Sequence, residues 1–220
     1  RLVGSEMCIR DRIQVVDVSG TTDLEGNPVG SGGSEPIEEH RFLLSELELW
    51  IMGIIGNGWD RVSRRAQAEG NRAVQEHLMD RLTGIGAKDI HISVALSSVQ
   101  REYPDSQDIT SWGDDQLRTI ASSIRKSMFP ISIAANKADN QIHTCTELES
   151  EIESSGGRVI FTSAEAELAL RRASSSGMIV YQPGDSDFSL TEVGEDTLSE
   201  RQREALGSIS NSISSWRGGG

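Results

Sequence analysis

The residues whose types and spacing allow the most specific chemistry in this chain are Asn136, Lys137 and Asp139. They follow residues 130–135, an apolar run that predicts a strand, and an open α/β sheet binds ligands beyond the carboxyl ends of its strands. A carboxylate only accepts hydrogen bonds, and guanine offers it two adjacent donors, the ring N1–H and the exocyclic amine. Adenine has an acceptor in place of that N1–H, and an unmatched buried polar group costs about 1–3 kcal/mol. The spacing therefore predicts that Asp139 selects guanine over adenine.

The two neighbours of this carboxylate have predicted roles of their own. The Lys137 stem can lie along the base plane, and Asn136 can tie this loop to a phosphate loop.

A second short strand, residues 158–161, is followed by Thr162, Ser163 and Ala164. Domains that bind GTP combine an Asn-Lys-x-Asp motif with such a Ser-Ala motif, whose backbone N–H meets the guanine carbonyl oxygen and whose serine supports the aspartate. The predicted nucleotide-binding residues are Asn136, Lys137, Asp139, Ser163 and Ala164.

Each motif also has a simpler interpretation that the sequence leaves open. The first can be an Asx turn that closes a strand. In the second, Thr162 and Glu165 fit a capping box at the start of a helix. The capping box and the ligand site can both be present, because a helix can begin at a binding site.

The elements that must position these residues alternate between strands and helices. Residues 13–18 are β-branched and predict a buried strand, and residues 21–34 predict a long loop rich in Gly, Asp and Asn. From Pro36, apolar side chains recur every three or four residues, which predicts successive helices until Met128. Residues 90–96 alternate like a strand, but the helical segments around them favour a short helix.

Capping signals mark two of the later helices. Asp114 predicts an N-cap before an apolar helical face. Ser199 and Gln202 predict a capping box at the start of a last helix, residues 199–216. Residues 165–174 predict a further helix directly after the second motif.

Composition excludes several classes of protein. The formal net charge is −13, which argues against broad affinity for nucleic-acid backbones, DNA included. No apolar run approaches the ~18–20 residues of a membrane-spanning helix. The histidines show no metal-ligand spacing, so no metal cluster is predicted. Beyond residue 12, Cys145 is the only cysteine, which fits the reducing cytoplasm.

The first twelve residues differ in origin from the rest. Residues 2–11 correspond, codon by codon, to a transposase adapter used in sequencing libraries, so native sequence is predicted to begin near Ile13. The predicted divisions are the non-native residues 1–12, a strand and loop in residues 13–35, a helical insertion in residues 36–127, and the remaining nucleotide-binding part with its C-terminal helix in residues 128–220.

Longer segments resemble a known family, the archaeal branch of the Obg-like, YchF-type translation-associated GTPases. The segments that carry the resemblance are residues 15–28 (VVDVSGTTDLEGNP), 42–51 (FLLSELELWI), 134–139 (AANKAD), 162–173 (TSAEAELALRRA) and 181–188 (YQPGDSDF). The resemblance implies an α/β fold, a partial Ras-like P-loop NTPase parallel sheet with a helical insertion. It also implies a C-terminal TGS domain beyond residue 220 and association with ribosomes. Many members depart from Asn-Lys-x-Asp and prefer ATP, but this chain keeps the aspartate, which favours GTP.

Departures from the family pattern limit what this chain can do. A phosphate-binding loop, Gly-x-x-x-x-Gly-Lys-Ser/Thr, holds the phosphates and a Mg²⁺ ligand, and no such string is present in the sequence. GTP hydrolysis with Mg²⁺ is therefore expected of the intact protein, and this chain is expected to be an inactive fragment with no catalytic residue. Asp17 and Gly20 fit an Asp-x-x-Gly metal motif, but the family match gives Asp17 a structural role.

Three functions remain as hypotheses. The leading one is the guanine-nucleotide-binding part of a cytoplasmic GTPase that acts in translation. The second is a ribosome- or RNA-binding module without catalysis, which would need a basic face on residues 36–127. The third is an ATP-preferring Obg-like relative, which competition between ATP and GTP would identify.

Overall fold

A computed structural model describes residues 12–29, 32–140 and 144–215. The chain forms two compact units. One contains Arg12 and Arg41–Ile131, and the other contains Ile13–His40 and the chain from Ser132 onward. The predicted adapter segment lies outside the described residues except for Arg12, and the functional meaning of the four predicted divisions stays a prediction.

The strands are β1 (Arg12–Asp17), β2 (Ile131–Asn136), β3 (Val159–Phe161), β4 (Ile179–Val180) and β5 (Ser189–Leu190). The helices are α1 (Pro36–Gly56), α2 (Trp59–Glu69), α3 (Asn71–Leu82), α4 (Asp89–Glu102), α5 (Asp114–Met128), α6 (Thr146–Ser154), α7 (Ala164–Ser175), α8 (Glu192–Thr197) and α9 (Glu200–Ser215).

The three longer strands form a parallel sheet in the order β1-β2-β3. Strands β2 and β3 pair in parallel with Ile133 opposite Val159, and helix α6 connects them, as parallel neighbours require. At the end of β1, the Val18 N–H donates to the Asn136 carbonyl at 3.1 Å. The predicted α/β fold with a parallel sheet is confirmed, and the carboxyl ends of all three strands lie at one edge.

The prediction that residues 13–18 form a buried strand is correct for one face only. Val16 and Val18 are fully buried, whereas Ile13 is 71% exposed and Val15 is 65% exposed. Successive side chains of a strand point to opposite faces of the sheet, and β1 has a described neighbour on one side only. A β-branched run therefore does not by itself indicate burial on both faces.

The unit around Arg41–Ile131 is helical. Its core combines side chains from α1 to α5, and residues 90–96 are helical as predicted, because Ile92, Ala95 and Val99 on α4 are buried at helical spacing. Arg125 on α5 donates to Glu48 on α1 at 2.8 Å. Helix α5 begins at Asp114 with Gly113 in the cap position, so the N-cap prediction for Asp114 was one residue late.

The last part of the chain packs around α7. Leu170, Ile179, Tyr181, Leu198 and Leu206 form its buried cluster. The predicted capping box of α9 is present, since the Ser199 N–H donates to Gln202 Oε1 at 2.9 Å and the Gln202 N–H donates back to Ser199 Oγ at 3.4 Å. None of the helices in the described part of the chain is long and apolar enough to cross a bilayer.

Candidate functional site

The first motif forms a tight turn at the carboxyl end of β2. The strand ends at Asn136, and Lys137 has a left-handed backbone with φ 62°. The Asn140 N–H then donates to the Lys137 carbonyl at 2.9 Å and closes the turn Ala138–Asn140. Left-handed backbone is unusual for a residue with a side chain. The turn is therefore a special conformation at the edge where ligands of parallel sheets bind.

The second motif lies directly beside the first. The Ala138 N–H donates to the Thr162 carbonyl at 3.0 Å, and the Thr162 N–H donates to the Ala135 carbonyl at 2.8 Å. Asn136 adds a side-chain link, because its Oδ1 accepts the Ala164 N–H at 3.0 Å. The two motifs thus form one continuous hydrogen-bonded surface. The amide oxygen of Asn136 binds the second motif, and the predicted link from Asn136 to a phosphate loop stays a prediction.

Ser163 begins helix α7. Its side chain is buried, and its Oγ accepts the Ala166 N–H at 3.1 Å, which is the N-cap bond of this helix. The alternative prediction, a capping box with Thr162 as N-cap, was therefore wrong by one residue. The described contact of the Ser163 hydroxyl is with the Ala166 N–H, and support of the Asp139 carboxylate by this serine stays a prediction.

Asp139 is exposed to solvent. Its Oδ2 accepts a hydrogen bond from Asn140 Nδ2 at 3.0 Å. A carboxylate offers about four acceptor sites on its two oxygens, so this contact, the one that the described residues make with it, leaves most of its capacity available. Asp139 is thus a side chain that can accept hydrogen bonds from a ligand without first breaking a buried network.

The Lys137 side chain reaches the end of the neighbouring strand β1. Its Nζ donates to Asp17 Oδ2 at 2.9 Å and to Thr21 Oγ1 at 2.6 Å. The acceptor lies 120 residues away in the sequence, at the end of β1. The lysine side chain is 43% exposed and that of Asp17 is 10% exposed. The ammonium is therefore anchored to the neighbouring strand, and the methylene stem crosses the sheet edge between the two strand ends.

Asp17 is the centre of a group of polar side chains that we call the Asp17 network, which consists of Asp17, Ser19, Thr21, Thr22 and Lys137. Its Oδ1 accepts the N–H and the hydroxyl of Ser19 at 2.9 and 2.6 Å. Its Oδ2 accepts the Thr21 and Thr22 hydroxyls at 2.8 and 3.0 Å in addition to the Lys137 ammonium.

Hydrogen bonding dominates the electrostatics of this carboxylate. Burial by itself would raise the pKa of Asp17, but the bonds from Ser19, Lys137 and Thr21 together hold that pKa well below its usual range. The carboxylate is therefore ionised throughout the physiological pH range. With five donors on two oxygens it has no free acceptor site, and the described residues contain no group of three His, Cys, Asp or Glu side chains that could hold a metal ion.

A second carboxylate supports the end of β1 from helix α1. Glu39 Oε2 accepts the Asp17 N–H at 3.2 Å, and Glu39 Oε1 accepts the Ser34 hydroxyl at 3.2 Å. Burial, with the nearby Asp17 charge, raises the pKa of Glu39. The loop between them is closed by the Gly33 N–H, which donates to the Gly20 carbonyl at 3.1 Å. A Cβ at Gly33 would overlap that carbonyl, so the loop requires glycine there.

Comparisons with known proteins are consistent with this arrangement. Residues 134–220 match the family described as Obg-like GTPase YGR210-like, G4 motif-containing domain. The chain is 36% identical over 208 residues to the GTP-binding protein MJ1332 of Methanocaldococcus jannaschii, covering 94% of this chain and 49% of that protein. It is 27% identical over 201 residues to the GTP-binding protein C428.15 of Schizosaccharomyces pombe, covering 91% of this chain and 46% of that protein.

A solved structure is also similar. The crystal structure of a GTP binding protein from Pyrococcus horikoshii OT3 superposes with a TM-score of 0.58 and 32% identity, covering 93% of this chain and 55% of that chain. The chain spans about half the length of the curated relatives it matches.

Proposed function

Because residues 134–220 match the family described as Obg-like GTPase YGR210-like, G4 motif-containing domain, we propose that this chain is the guanine-reading part of a GTP-binding protein. The observation that carries the proposal is the Asn136 link. Through the 3.0 Å bond from the Ala164 N–H to Asn136 Oδ1, the exposed carboxylate and the start of helix α7 share one sheet edge.

Each residue of this edge has a defined task in the proposal. Asp139 accepts the N1–H and the exocyclic amine of guanine, and the methylene stem of Lys137 forms a wall against the base plane. Ser163 fixes the first turn of α7, whose N-terminal end carries positive potential and favours an oxygen ligand. The Ala164 N–H already donates to Asn136, so the guanine carbonyl oxygen shares this donor or displaces the amide. Asn136 thereby couples the arrival of the base to the position of the turn.

The finer assignments belong to the intact protein. We propose a YchF-type, archaeal, cytoplasmic GTPase that acts in translation at the ribosome and hydrolyses GTP with Mg²⁺. The relatives named as GTP-binding proteins support nucleotide binding, and they are about twice as long as the aligned region. The described residues contain no group of three His, Cys, Asp or Glu side chains that could hold a metal ion, and the sequence has no phosphate-binding loop. The metal and the phosphates are therefore proposed to be held by other parts of that protein.

Two surface arginines of the helical unit are paired with carboxylates, which counts against the basic face that an RNA-binding module would need there. Arg65 pairs with Glu69 and Glu76, and Arg72 also pairs with Glu76. Cations already neutralised by carboxylates contribute little to phosphate binding. Selectivity for ATP remains the alternative within the nucleotide class, and the base preference decides between the two.

An exchange of base preference tests the proposal. In the Asp139→Asn variant the carboxamide presents a donor where guanine also presents one, so guanosine binds at least about tenfold more weakly. Xanthosine carries an oxygen in place of the exocyclic amine and gains affinity. Affinities are measured by NMR titration with guanosine, inosine, xanthosine and adenosine.

Asp105→Asn is the matched control, because Asp105 is an exposed aspartate in the turn between α4 and α5. It should keep the preference of the unmodified chain, with guanosine first and adenosine last. Equal binding of guanosine and adenosine by the unmodified chain, or an unchanged base order in Asp139→Asn, would contradict the proposed function.

A further inference from the structure

We propose that Asp17 is a positioning residue for base recognition, which acts by fixing the Lys137 side chain as one wall of the base site. The inference rests on the proposed function and adds a residue from a different strand to it. The structural basis is the ion pair of 2.9 Å between the Lys137 ammonium and the Asp17 carboxylate, together with the other members of the Asp17 network.

Asp17 is suited to hold a cation and unsuited to bind a ligand. Its side chain is 10% exposed, and its two oxygens accept five hydrogen bonds from the chain itself. A carboxylate provides about four lone-pair sites, so no acceptor site is left for a nucleotide. The residue therefore influences a ligand only through the groups that it orients.

Lys137 needs such an anchor for two reasons. Its left-handed backbone, φ 62°, is a strained conformation for a residue with a Cβ. Its long side chain also loses rotamer freedom when it becomes ordered. The charge-assisted bond to Asp17 and the 2.6 Å bond to Thr21 offset these costs before a base arrives. The stem is thus ordered in advance, which reduces the entropy lost on binding.

The Asp17 network also keeps this anchor rigid. Thr21 Oγ1 contacts Asp17 Oδ2, the Ser19 hydroxyl and the Lys137 ammonium at once. The bond from the Ser19 N–H ties Asp17 to the backbone that follows β1. Since β1 and β2 are adjacent strands, the lysine is fixed across the edge of the sheet rather than along its own turn.

A double-mutant cycle tests the inference, with Asp17→Asn, Lys137→Met and the double variant titrated by NMR with guanosine. Asp17→Asn preserves the shape of the side chain but removes its charge, and it should lower guanosine affinity about tenfold. Lys137→Met keeps an apolar stem without an anchor and should lose a similar factor. The double variant should bind no worse than Lys137→Met alone, because both changes remove the same interaction.

A spectroscopic signal separates positioning from a general loss of structure. The ammonium protons of Lys137 should be visible by NMR in the unmodified chain, where the ion pair slows their exchange, and absent in Asp17→Asn. Asp23→Asn is the matched control: Asp23 lies in the same loop and accepts from the Asn27 N–H at 2.8 Å, but it has no contact with Lys137. It should preserve both the ammonium signal and the affinity.

If Asp17→Asn does not fold, Thr21→Val removes one anchor only and should weaken guanosine binding about threefold.

The possible failures are distinguishable. If the unmodified chain prefers guanosine but Asp17→Asn or Thr21→Val binds it equally well, the positioning role is overturned and the proposed function stands. If the effects of Asp17→Asn and Lys137→Met simply add, Asp17 does not act through the lysine, and the role is also overturned. If the unmodified chain shows no preference for guanosine, the proposed function fails and the inference fails with it.

Discussion

Two side chains of one short turn have opposite surroundings. Asp139 is exposed and accepts a hydrogen bond from the neighbouring Asn140, whereas the Lys137 ammonium lies against the carboxylate of Asp17. Base recognition by hydrogen bonds needs a free acceptor, and stacking needs an ordered wall. The turn provides both because its left-handed residue directs the two side chains to different neighbours.

The ionisation of Asp17 should appear in the acid stability of the chain. Its pKa is depressed in the folded state, so its contribution to the free energy of unfolding is complete above the unfolded pKa, about 3.9, and is lost as the pH falls through the folded pKa. Asp17→Asn should therefore lower the free energy of unfolding by about 1–2 kcal/mol at pH 7, and this difference should shrink below about pH 4. Urea denaturation of the unmodified chain and of Asp17→Asn between pH 7 and pH 2 measures this difference in the free energy of unfolding. A difference that is the same at every pH would contradict the assignment.

For single residues, the sequence predicted which residue types lie at the site better than it predicted their hydrogen-bond and ion-pair partners. Asn136, Lys137 and Asp139 follow a strand as predicted, and a carboxylate after a strand is readable from local order. The Asp17–Lys137 ion pair was not predictable, because its members are 120 residues apart and only strand pairing brings them together. The hydroxyl residues Ser19 and Thr21 after Asp17 were a signal that a local network could form.

At the scale of elements, the start of each helix is set by local hydrogen bonds and its position by close packing. Ser163 caps α7 and places the second motif, while Ser199 and Gln202 cap α9. Helical periodicity predicted α1, α2, α3 and α5 because each buries one apolar stripe, whereas α4 was predicted from the helical segments around it. The sequence did not predict that one face of β1 is exposed, because exposure depends on what covers the sheet and not on the strand's own residues.

A pair of helix glycines tests the packing of the last elements. A Cβ at Gly194 on α8 would overlap the carbonyl of Met178, the residue before β4, whereas Gly207 on α9 has no heavy atom within 4 Å of that position. Gly194→Ala should therefore lower the free energy of unfolding by about 1–3 kcal/mol. Gly207→Ala should raise it by about 0.5–1 kcal/mol, because alanine favours helix.

Thermal and urea unfolding of the two variants, beside the unmodified chain, measure these changes. Helix propensity alone would stabilise both variants equally, so opposite signs isolate the contact between α8 and the Met178 backbone. If Gly194→Ala is as stable as Gly207→Ala, then α8 does not lie as close to the Met178 carbonyl as the structure shows.

At the scale of the whole molecule, we propose that this chain supplies base contacts, while its sequence lacks the phosphate-binding loop of GTPases. The sequence contains no Gly-Lys-Ser or Gly-Lys-Thr phosphate loop, and Asp17, which fits a metal motif by sequence, is saturated by its own network. The fold class was predictable because alternating strands and helices lead to a parallel sheet. The role of Asp17 was not, because one Asp-x-x-Gly string is compatible with a metal ligand and with an anchor for lysine.

The central claim is that guanine is read where β2 and β3 end. The most direct measurement is an NMR titration of the ¹⁵N-labelled chain with guanosine, GTP and adenosine, combined with an assay for phosphate release. The account predicts that guanosine and GTP shift the amides of residues 136–139 and 162–165 with dissociation constants within about threefold of each other, because the base supplies the contacts. Adenosine should bind at least about tenfold more weakly, and no phosphate should be released. Equal shifts with adenosine, shifts confined to other residues, or micromolar GTP binding with measurable hydrolysis would contradict the account.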